Sequence, residues 1–382
     1  MADSQEKLGF INSIILFVNS LAVFALFGCY LARYISPDSF WPFAFLGISY
    51  PILLFVNLVF IVWWIVCSKR HYTLSLITVL LGWNSFFSFY QFSGNDLPEN
   101  AENTLKIISY NTHYFDYFDY KMGKKDDSNK DSILSFFNKE NPDIICIQEY
   151  VRPKAEKEKF KTREPIRNKL GLKYYYFNHT SDHYDRVAYT GISVFSRFPI
   201  INFKDLEFER LSTDNDGFYV DILAFKDTIR VFNLHLESIR LGYSDQEFYE
   251  DMTENRTKTH EIKEGSRKII SKLKRAFILR ARQAKFVDSI IRISPHPVIV
   301  CGDFNDTPTS FAYHKVKGDL KDAFVESGSG TGNTYNGKVP SFRIDYILHS
   351  NAFNAFGFRR EKVTYSDHYP IVTTLVYNKK SD

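Results

Sequence analysis

The chain has 382 residues, with 48 lysines and arginines against 44 aspartates and glutamates, and a formal net charge of +4. This length predicts two or three domains, and so small a net charge excludes a strong whole-molecule field that would attract nucleic acid. The four cysteines lie within or beside apolar runs and match neither a zinc site nor a disulfide framework, so we expect them to be buried and reduced.

Three apolar stretches follow one another in the first hundred residues, at about 10–34, 43–66 and 72–92. Each approaches or exceeds the roughly 20 residues that a helix needs to cross the hydrocarbon core, and none contains Asp, Glu or Lys. The first is too long for a signal peptide and its start is not basic. Three such stretches with short links favour membrane spans over buried core helices. Residues 1–93 are therefore predicted to form a membrane anchor with three transmembrane helices.

The basic residues of the short loops predict an orientation. Lys69 and Arg70 lie between the second and third stretches, whereas the first loop has neither Lys nor Arg. The positive-inside rule places that second loop and the amino terminus in the cytoplasm. The remaining part of the chain then faces outward, as an extracytoplasmic domain of an integral protein of an inner or plasma membrane.

Residues 94–104 combine Gly, Pro, Asn and Glu, which predicts a solvated linker. From residue 105 to 382, short apolar strands alternate with polar helices, which predicts one α/β domain with a sizeable core. The predicted helices cover 130–139 and 267–293. The predicted strands are 105–111, 143–149, 191–198, 219–225, 229–236, 297–305, 343–349 and 370–377.

The later helix is markedly basic along 267–293. One interpretation is a surface for anionic lipid or nucleic acid. The other, which we favour, is a solvated face whose charges are balanced by the acidic residues just upstream. Those residues are Glu250, Asp251, Glu254, Glu261 and Glu264.

The run Val-Ile-Val-Cys-Gly-Asp-Phe-Asn at 298–305 combines a buried strand with a polar end. Asp303 and Asn305 are two residues apart and would project to the same side of an extended segment. A carboxylate beside a carboxamide suits a metal or a phosphate. An Asx-type turn after a strand explains the same four residues equally well.

Further polar residues stand at other predicted strand ends, where α/β sheets usually carry function. Each has a structural explanation when it is taken singly, as a turn residue, a helix cap or a satisfied histidine. The set consists of Asn111, Glu149, His235, Asp303, Asn305, Asp345, Asp367 and His368.

In chain order these residues stand in Asn, QE, HL, GDFN, RID and SDHYP motifs, and the whole set resembles the endonuclease/exonuclease/phosphatase family. The resemblance covers about residues 105–377. It implies a four-layer α/β sandwich, in which two packed mixed β-sheets are flanked by helices on both outer faces. It also implies metal-assisted hydrolysis of a phosphoester.

Carried over from the family, Glu149 is the expected ligand of a divalent cation, normally Mg²⁺ with Mn²⁺ as an alternative. Asn111 is expected to help hold the metal or the phosphate, and Asp367 is a further candidate ligand. The family varies between one metal ion and two, and the residues leave both alternatives open.

The resemblance also implies the catalytic roles. Asp303 and Asn305 would position the attacking water and a phosphoryl oxygen. His368 is the expected base, and Asp345 would fix its tautomer. His235 would donate a hydrogen bond or a proton as charge develops on the phosphate.

The substrate stays open between two phosphodiesters. A nuclease-like activity is one alternative, although His113 stands where related apurinic-site nucleases carry an acidic residue. A phospholipid or sphingomyelin phosphodiesterase is the other, because a membrane anchor raises the effective concentration of lipid head groups. A weakly active membrane-tethered binding or scaffold domain is the alternative outside enzymes. The expected partners are the phosphoester and the bilayer, with no obligate protein partner evident.

Overall fold

Two structural units follow one another along the chain, a bundle of apolar helices and a larger α/β sandwich. The computed structural model describes residues 9–67, 69–154, 159–181, 187–209, 215–239, 259–337 and 341–378. All four cysteines are free thiols; three are buried, as expected, and Cys67 is only partly buried.

The helical unit differs from the predicted anchor in the number of full-length helices. Its helices are α1 (Phe10–Ala32), α2 (Pro37–Phe40), α3 (Pro42–Ile48), α4 (Tyr50–Val66), α5 (Tyr72–Leu81) and α6 (Trp83–Phe87). Among the described residues, only α1 is by itself long enough and apolar enough to cross a membrane. The helices α3 and α4 make a second candidate only as a pair, and they meet at a bend of 69°.

The prediction of three transmembrane helices is therefore not supported. Pro51 in the first turn of α4 has no N–H to continue the helix that precedes it, which explains the break in the second stretch. The third stretch is interrupted at Gly82, which leaves the ten-residue α5 and the five-residue α6. Apolar composition predicted the helices correctly but not these interruptions.

Polar side chains occupy the centre of the helical unit. Asn19, Asn57 and Ser75 are 0% exposed. Asn19 Nδ2 donates to Ser75 Oγ at 2.6 Å, and Ser75 Oγ donates to Asn57 Oδ1 at 2.9 Å. Trp64 Nε1 donates to Asn19 Oδ1 at 2.9 Å, so the network joins α1, α4 and α5. The outer surface carries exposed apolar side chains, among them Phe10, Phe17, Phe24, Ile52, Phe55, Val62, Ile77 and Leu81.

The sandwich contains two six-stranded mixed sheets. Its strands, with a short strand that precedes it, are β1 (Tyr90–Gln91), β2 (Thr104–Asn111), β3 (Ile144–Pro153), β4 (Tyr174–Ser181), β5 (Ala188–Ser196), β6 (Ile200–Leu206), β7 (Asp216–Ala224), β8 (Asp227–His235), β9 (Val298–Asp303), β10 (Lys321–Asp322), β11 (Gly330–Thr331), β12 (Asp345–His349), β13 (Phe353–Arg360) and β14 (Ile371–Tyr377). The first sheet has the order β13-β14-β2-β3-β5-β4, and the second has the order β10-β12-β9-β8-β7-β6. Only the central pairs β2–β3 and β8–β9 are parallel in these two sheets.

The two sheets pack face to face over an apolar core drawn from both. Within the layer between them, Gln148 Nε2 of β3 donates to Asn233 Oδ1 of β8 at 2.6 Å. Both side chains are 0% exposed, so this hydrogen bond links the two sheets inside the core, while the buried Gln148 Oε1 has no described hydrogen-bond partner.

Helices cover the outer faces of both sheets. They are α7 (Tyr117–Lys121), α8 (Ser128–Glu140), α9 (Arg163–Lys169), α10 (Thr259–Arg292), α11 (Phe311–Lys317) and α12 (Ala323–Ser327). The first sheet buries one apolar cluster with α8 and α9, and the second buries another with α10 and α11. The predicted four-layer arrangement of helices, sheet, sheet and helices is confirmed, and so are all eight predicted strands.

The basic helix α10 joins the two units. Arg282 Nε and Lys285 Nζ lie 2.8 and 3.1 Å from the carboxylate of Asp38, in α2. The ring of Phe277 meets the ring of Phe45, in α3, at a centroid distance of 5.3 Å. Part of the positive charge of α10 is thus balanced by the Asp38 carboxylate of the helical unit. Of the acidic residues expected to balance it, Glu250, Asp251, Glu254 and the side chain of Glu261 lie outside the described residues.

Candidate active site

Five of the residues predicted to carry chemistry lie at one end of the sandwich. Asn111, His235 and Asp303 are the last residues of β2, β8 and β9. Asp345 begins β12, which is antiparallel to β9, and His368 shortly precedes β14. Because the strand register places both His235 and Asp345 opposite Asp303, these side chains meet at the same edge.

Asp303 is the centre of this cluster. Asn111 Nδ2 donates to Asp303 Oδ2 at 3.1 Å. The Nε2 atoms of His235 and His368 lie 3.7 and 3.6 Å from the same oxygen. Asp303 is 1% exposed, and burial raises the pKa of its carboxyl although the two histidines oppose the shift. One buried carboxylate thus draws together side chains from β2, from β8 and from the segment before β14.

Glu149 reaches the cluster because β3 bulges. The pairing of β3 with β5 shifts register between Ile147 and Tyr150, and Glu149 adopts a left-handed backbone with a φ of 49°. A bulge of this kind re-aims a side chain. Glu149 Oε1 lies 3.4 Å from Asn111 Nδ2. Burial raises the pKa of the Glu149 carboxyl to about 7, and the negative charge of Asp367 adds to the increase.

His368 and Asp345 form a hydrogen-bonded pair. Asp345 Oδ2 accepts from His368 Nδ1 at 2.9 Å, which leaves Nε2 on the side of Asp303. Burial alone lowers the pKa of His368, but the charges of Asp345 and Asp303 outweigh it and hold the pKa well above its ordinary value. No described residue donates a hydrogen bond to the other oxygen of Asp345, Oδ1, which is buried.

The Gly-Asp-Phe-Asn segment forms the predicted Asx-type turn and also contributes to the site. Asn305 donates its backbone N–H to Asp303 Oδ1 at 2.8 Å, and Asn305 Nδ2 donates to the carbonyl of Leu236 at 3.0 Å. Gly302 has a φ of 152°, and a Cβ there would lie 2.0 Å from the carbonyl oxygen of Leu234. Only glycine allows β8 and β9 to approach this closely.

Ser366 is a site residue that the sequence analysis missed, although it stands in the SDHYP motif. Its Oγ donates to the carbonyl of Asn111 at 2.8 Å and accepts the His368 N–H at 3.2 Å. It therefore ties the loop of His368 to the end of β2. Tyr335, whose ring lies 5.3 Å from the ring of His368, was also missed, because it lies in a loop with no sequence signal.

The segment that contains the site residues matches a known protein family. The model of the Endonuclease/Exonuclease/phosphatase family matches residues 108–368, more than half of the chain. The chain belongs to this family. A second model, described as Domain of unknown function (DUF8431), matches residues 12–89, which cover the helical unit and end just before β1. No curated protein sequence matches the chain.

Solved structures show similarity over the sandwich. Humanized D. rerio TDP2 shares 16% identity and a TM-score of 0.49, covering 72% of this chain and 99% of its own. The human Nocturnin catalytic domain with bound sulfate shares 18% identity and a TM-score of 0.47, covering 74% and 97%. A family protein from Beutenbergia cavernae shares 15% identity and a TM-score of 0.49, covering 72% of each chain. These values are too low to transfer a substrate.

Members of this family are generally dependent on a divalent metal, and the donor set of this chain fits one. Glu149, Asp303, Asp345 and Asp367 supply carboxylate oxygens, the ligands that Mg²⁺ prefers. Burial raises the pKa of Glu149 and the charge of Asp367 adds to it, while Asp345 Oδ1 has no described donor, so a bound cation would stabilise these carboxylates. The ligand atoms of Asp303, Asp345 and His368 lie within 4.8 Å of one another, but the His368–Asp345 hydrogen bond already explains that proximity.

A left-handed turn follows Asn111, and nothing in the sequence indicated it. The four residues from His113 to Asp116 all have φ between 46° and 56°. Such conformations cost of order 1–3 kcal/mol each and persist only where the surroundings enforce them. Buried Asp116 accepts from Lys125 Nζ at 2.9 Å, contacts His113 Nδ1 at 3.1 Å, and also accepts from Asn129. The His113 N–H donates to Asn111 Oδ1 at 3.2 Å, so the turn orients Asn111 towards Asp303.

Proposed function

We propose that this chain is a membrane-anchored, metal-dependent phosphoesterase that hydrolyses a phosphodiester bond. The observation that supports it best is the convergence of Asn111, His235 and His368 on one buried oxygen of Asp303. In a family member, this arrangement combines a base, hydrogen-bond donors and oxygen ligands within one small site.

The proposed roles follow from the contacts. Asp345 holds the ring of His368 so that Nε2 can accept the proton of an attacking water. His368 must be neutral to do so, and a cation bound by Glu149 and Asp367 would oppose the negative charge that raises its pKa. Asp303 and Asn305 orient the water and a phosphoryl oxygen. His235 donates towards the charge that develops on the phosphate.

Glu149, Asn111 and Asp367 are the proposed ligands of Mg²⁺ or Mn²⁺. Bound to them, the ion would neutralise charge on the phosphate and stabilise the leaving oxygen. Asn111 can serve through its carboxamide oxygen, which already accepts from the His113 N–H, while its Nδ2 holds Asp303.

We also propose that residues 1–93 insert into a membrane and that residues 94–104 lead into the catalytic domain. The supporting observation is the inverted helical unit, whose apolar side chains face outward while Asn19, Asn57 and Ser75 bond to one another inside. Helices in lipid associate through such interhelical polar contacts. Lys69 and Arg70 favour a cytoplasmic second loop and an extracytoplasmic catalytic domain.

A lipid phosphodiester is the second candidate substrate beside nucleic acid, because the helical unit contacts the sandwich next to the site. Thr309, four residues after Asn305, donates through Oγ1 to the carbonyl of Gly47 at 2.8 Å. On the other side, β1 pairs with β11, four residues before Tyr335. Each attachment is thus four residues along the chain from a residue of the site, and membrane insertion of the helical unit would bring the site close to lipid head groups.

The decisive assay uses the purified full chain with Mg²⁺ on DNA, RNA, sphingomyelin and a phospholipid. We expect the chain to hydrolyse one of these substrate classes. This activity should be lost when the metal is chelated and in the His368→Ala and Glu149→Ala variants. Lys204→Gln, on the exposed edge strand β6, is the matched control that should turn over normally. Equal rates of hydrolysis in wild type and both site variants, or no hydrolysis of any substrate, would favour the alternative of a membrane-tethered binding or scaffold domain.

Labelling tests the orientation. A cysteine in place of Arg70, in a chain whose Cys67 is replaced by serine, should be protected from an impermeant thiol reagent in intact cells. Labelling from outside would reverse the proposed topology.

A further inference from the structure

A basic cavity lies beside the point where the chain leaves the helical unit for the sandwich. It has a volume of about 410 Å³. One part of its lining is the glycine-rich segment from Gly330 to Gly332, and another is the end of β13 with the residues that follow it. The complete lining is Phe324, Ser329, Gly330, Thr331, Gly332, Phe358, Arg359, Arg360 and Lys362.

The three cations of this cavity differ in their partners. Arg359 is committed to the carboxylates of Glu140 and Glu361. In contrast, no described carboxylate forms an ion pair with Arg360 or Lys362. The cavity therefore contains two cations whose charge is not balanced locally.

Arg360 is the better positioned of the two. Its guanidinium donates to the carbonyl of Asn333 and lies over the ring of Tyr369, 5.1 Å from the centroid. Burial lowers the pKa of the guanidinium, and no described carboxylate opposes the shift. A half-buried arginine with free N–H groups matches the geometry of a phosphate.

The position of the cavity indicates which phosphate it meets. Its Gly330 and Thr331 pair with Gln91 and Tyr90 of β1. Just before and after β1, aromatic rings contact one another in a cluster of Trp83, Phe86, Phe87, Tyr90 and Phe92. Trp83 and Phe92 are 53% and 71% exposed. Exposed aromatic clusters at the end of apolar helices mark the head-group level of a bilayer.

We propose that this cavity binds the phosphate of an anionic membrane lipid, with Arg360 and Lys362 as the cationic partners. The proposal rests on the membrane insertion proposed above but not on catalysis, because the cavity lining contains none of the candidate catalytic residues. Basic pockets beside membrane helices bind anionic head groups through the same charge-assisted hydrogen bonds. The bound lipid would fix the height of the sandwich above the bilayer.

The test is calorimetric titration of the full chain in non-ionic detergent. The probes are dioctanoyl phosphatidylglycerol, dioctanoyl phosphatidylcholine and inorganic phosphate. The anionic lipid should bind about 10-fold more tightly than either of the others, and the Arg360→Gln/Lys362→Gln variant should lose about that factor. Lys204→Gln should bind like wild type.

Three outcomes would overturn the proposal: equal affinity for both lipids, equal affinity for inorganic phosphate, or unchanged binding by the double variant. Because Lys362 is exposed, Lys362→Gln alone keeps the test valid if the double variant does not fold. Anionic-lipid binding that survives in His368→Ala separates this cavity from the catalytic site. Anionic-lipid binding by a wild-type chain that turns over none of the phosphodiesters would count against the proposed phosphoesterase alone.

Discussion

The helical unit and the sandwich arrange polar and apolar residues in opposite ways. The sandwich buries three apolar clusters between and outside its sheets. The helical unit leaves Phe10 and Phe24 82% and 75% exposed, while Asn19 and Asn57 are fully buried. In water this surface would be costly, whereas in hydrocarbon the polar groups must find partners inside the unit. This contrast is the one expected if the helical unit lies in lipid, as proposed, and the sandwich lies in water.

Both units bury polar groups, but the two polar clusters differ in kind. In the helical unit, the buried amides and hydroxyl of Asn19, Asn57 and Ser75 satisfy one another. In the site, carboxylates crowd together and Asp345 Oδ1 has no described donor. A satisfied network stabilises a structure, whereas crowded like charges destabilise one and are typical of functional sites. Substitutions should therefore affect stability in the first cluster and turnover in the second.

The largest expected effect is on turnover in His368→Ala. Loss of the base should lower kcat about 10³- to 10⁴-fold. The midpoint of thermal unfolding should fall modestly, because the buried Asp345 carboxylate loses its hydrogen-bond partner, but the protein should stay folded at the assay temperature. A comparable loss in both turnover and folded protein would show that the cluster is structural.

Among substitutions that add one methyl group to the sandwich, Gly302→Ala should lower the free energy of unfolding most. A Cβ 2.0 Å from the Leu234 carbonyl would force β8 and β9 apart, and we expect a loss of at least about 3 kcal/mol in the free energy of unfolding. Gly123→Ala is the matched control, because Gly123 also has a positive φ, of 68°, but nothing within 4 Å of the added Cβ. Equal losses in denaturant unfolding would attribute the effect to backbone strain alone.

The sequence predicted central strands better than edge strands, and the reason is burial. All eight predicted strands exist. The missed strands are the two-residue pair β1 and β11 and the four edge strands of the large sheets, β4, β6, β10 and β13. The burial pattern of β6 shows five successive exposed residues, so no continuous apolar run marks it. An edge strand forms because its neighbour offers a ladder of hydrogen bonds, which the local sequence does not reveal.

The candidate site, like the strands, was predictable only in part. Motifs located the residues at strand ends. The register of β8 with β9 places His235 beside Asp303, and the packing of the two sheets brings Asn111 to them. The bulge that re-aims Glu149 and the left-handed turn from His113 to Asp116 were not predictable. Both depend on contacts with residues distant in the chain, which outweigh the ordinary preference of non-glycine residues for negative φ.

The pH dependence of the free energy of unfolding should reveal the ionisation of the Glu149 carboxyl. The folded pKa of Glu149, about 7, lies above the ordinary value of 4.5. The folded state therefore binds more protons between these values, and metal-free protein should lose up to about 3 kcal/mol as pH rises from about 4.5 to 7. Mg²⁺ should reverse the loss, and Glu149→Gln should abolish both effects. Parallel unfolding profiles for wild type and variant would contradict this origin.

In the helical unit, Asn57→Leu should destabilise the protein by about 1 kcal/mol, because Ser75 Oγ loses its acceptor in the bundle. Turnover of a soluble phosphodiester should not change. Asn84→Leu, at an exposed position, is the control. Thermal unfolding in detergent measures the difference, and equal midpoints for both variants would mean that the network contributes nothing to the bundle.

The smallest expected effect concerns the contact between the two units. Asp38 pairs with Arg282 and Lys285, which are 46% and 43% exposed, so water and salt screen the attraction. Asp38→Asn should cost less than about 1 kcal/mol at low salt and nothing at 1 M salt, as measured by thermal unfolding. A larger loss that persists at high salt would mean that the charges order the whole junction. The apolar contact of Phe45 with Phe277 should instead be independent of salt, because no charge takes part in it.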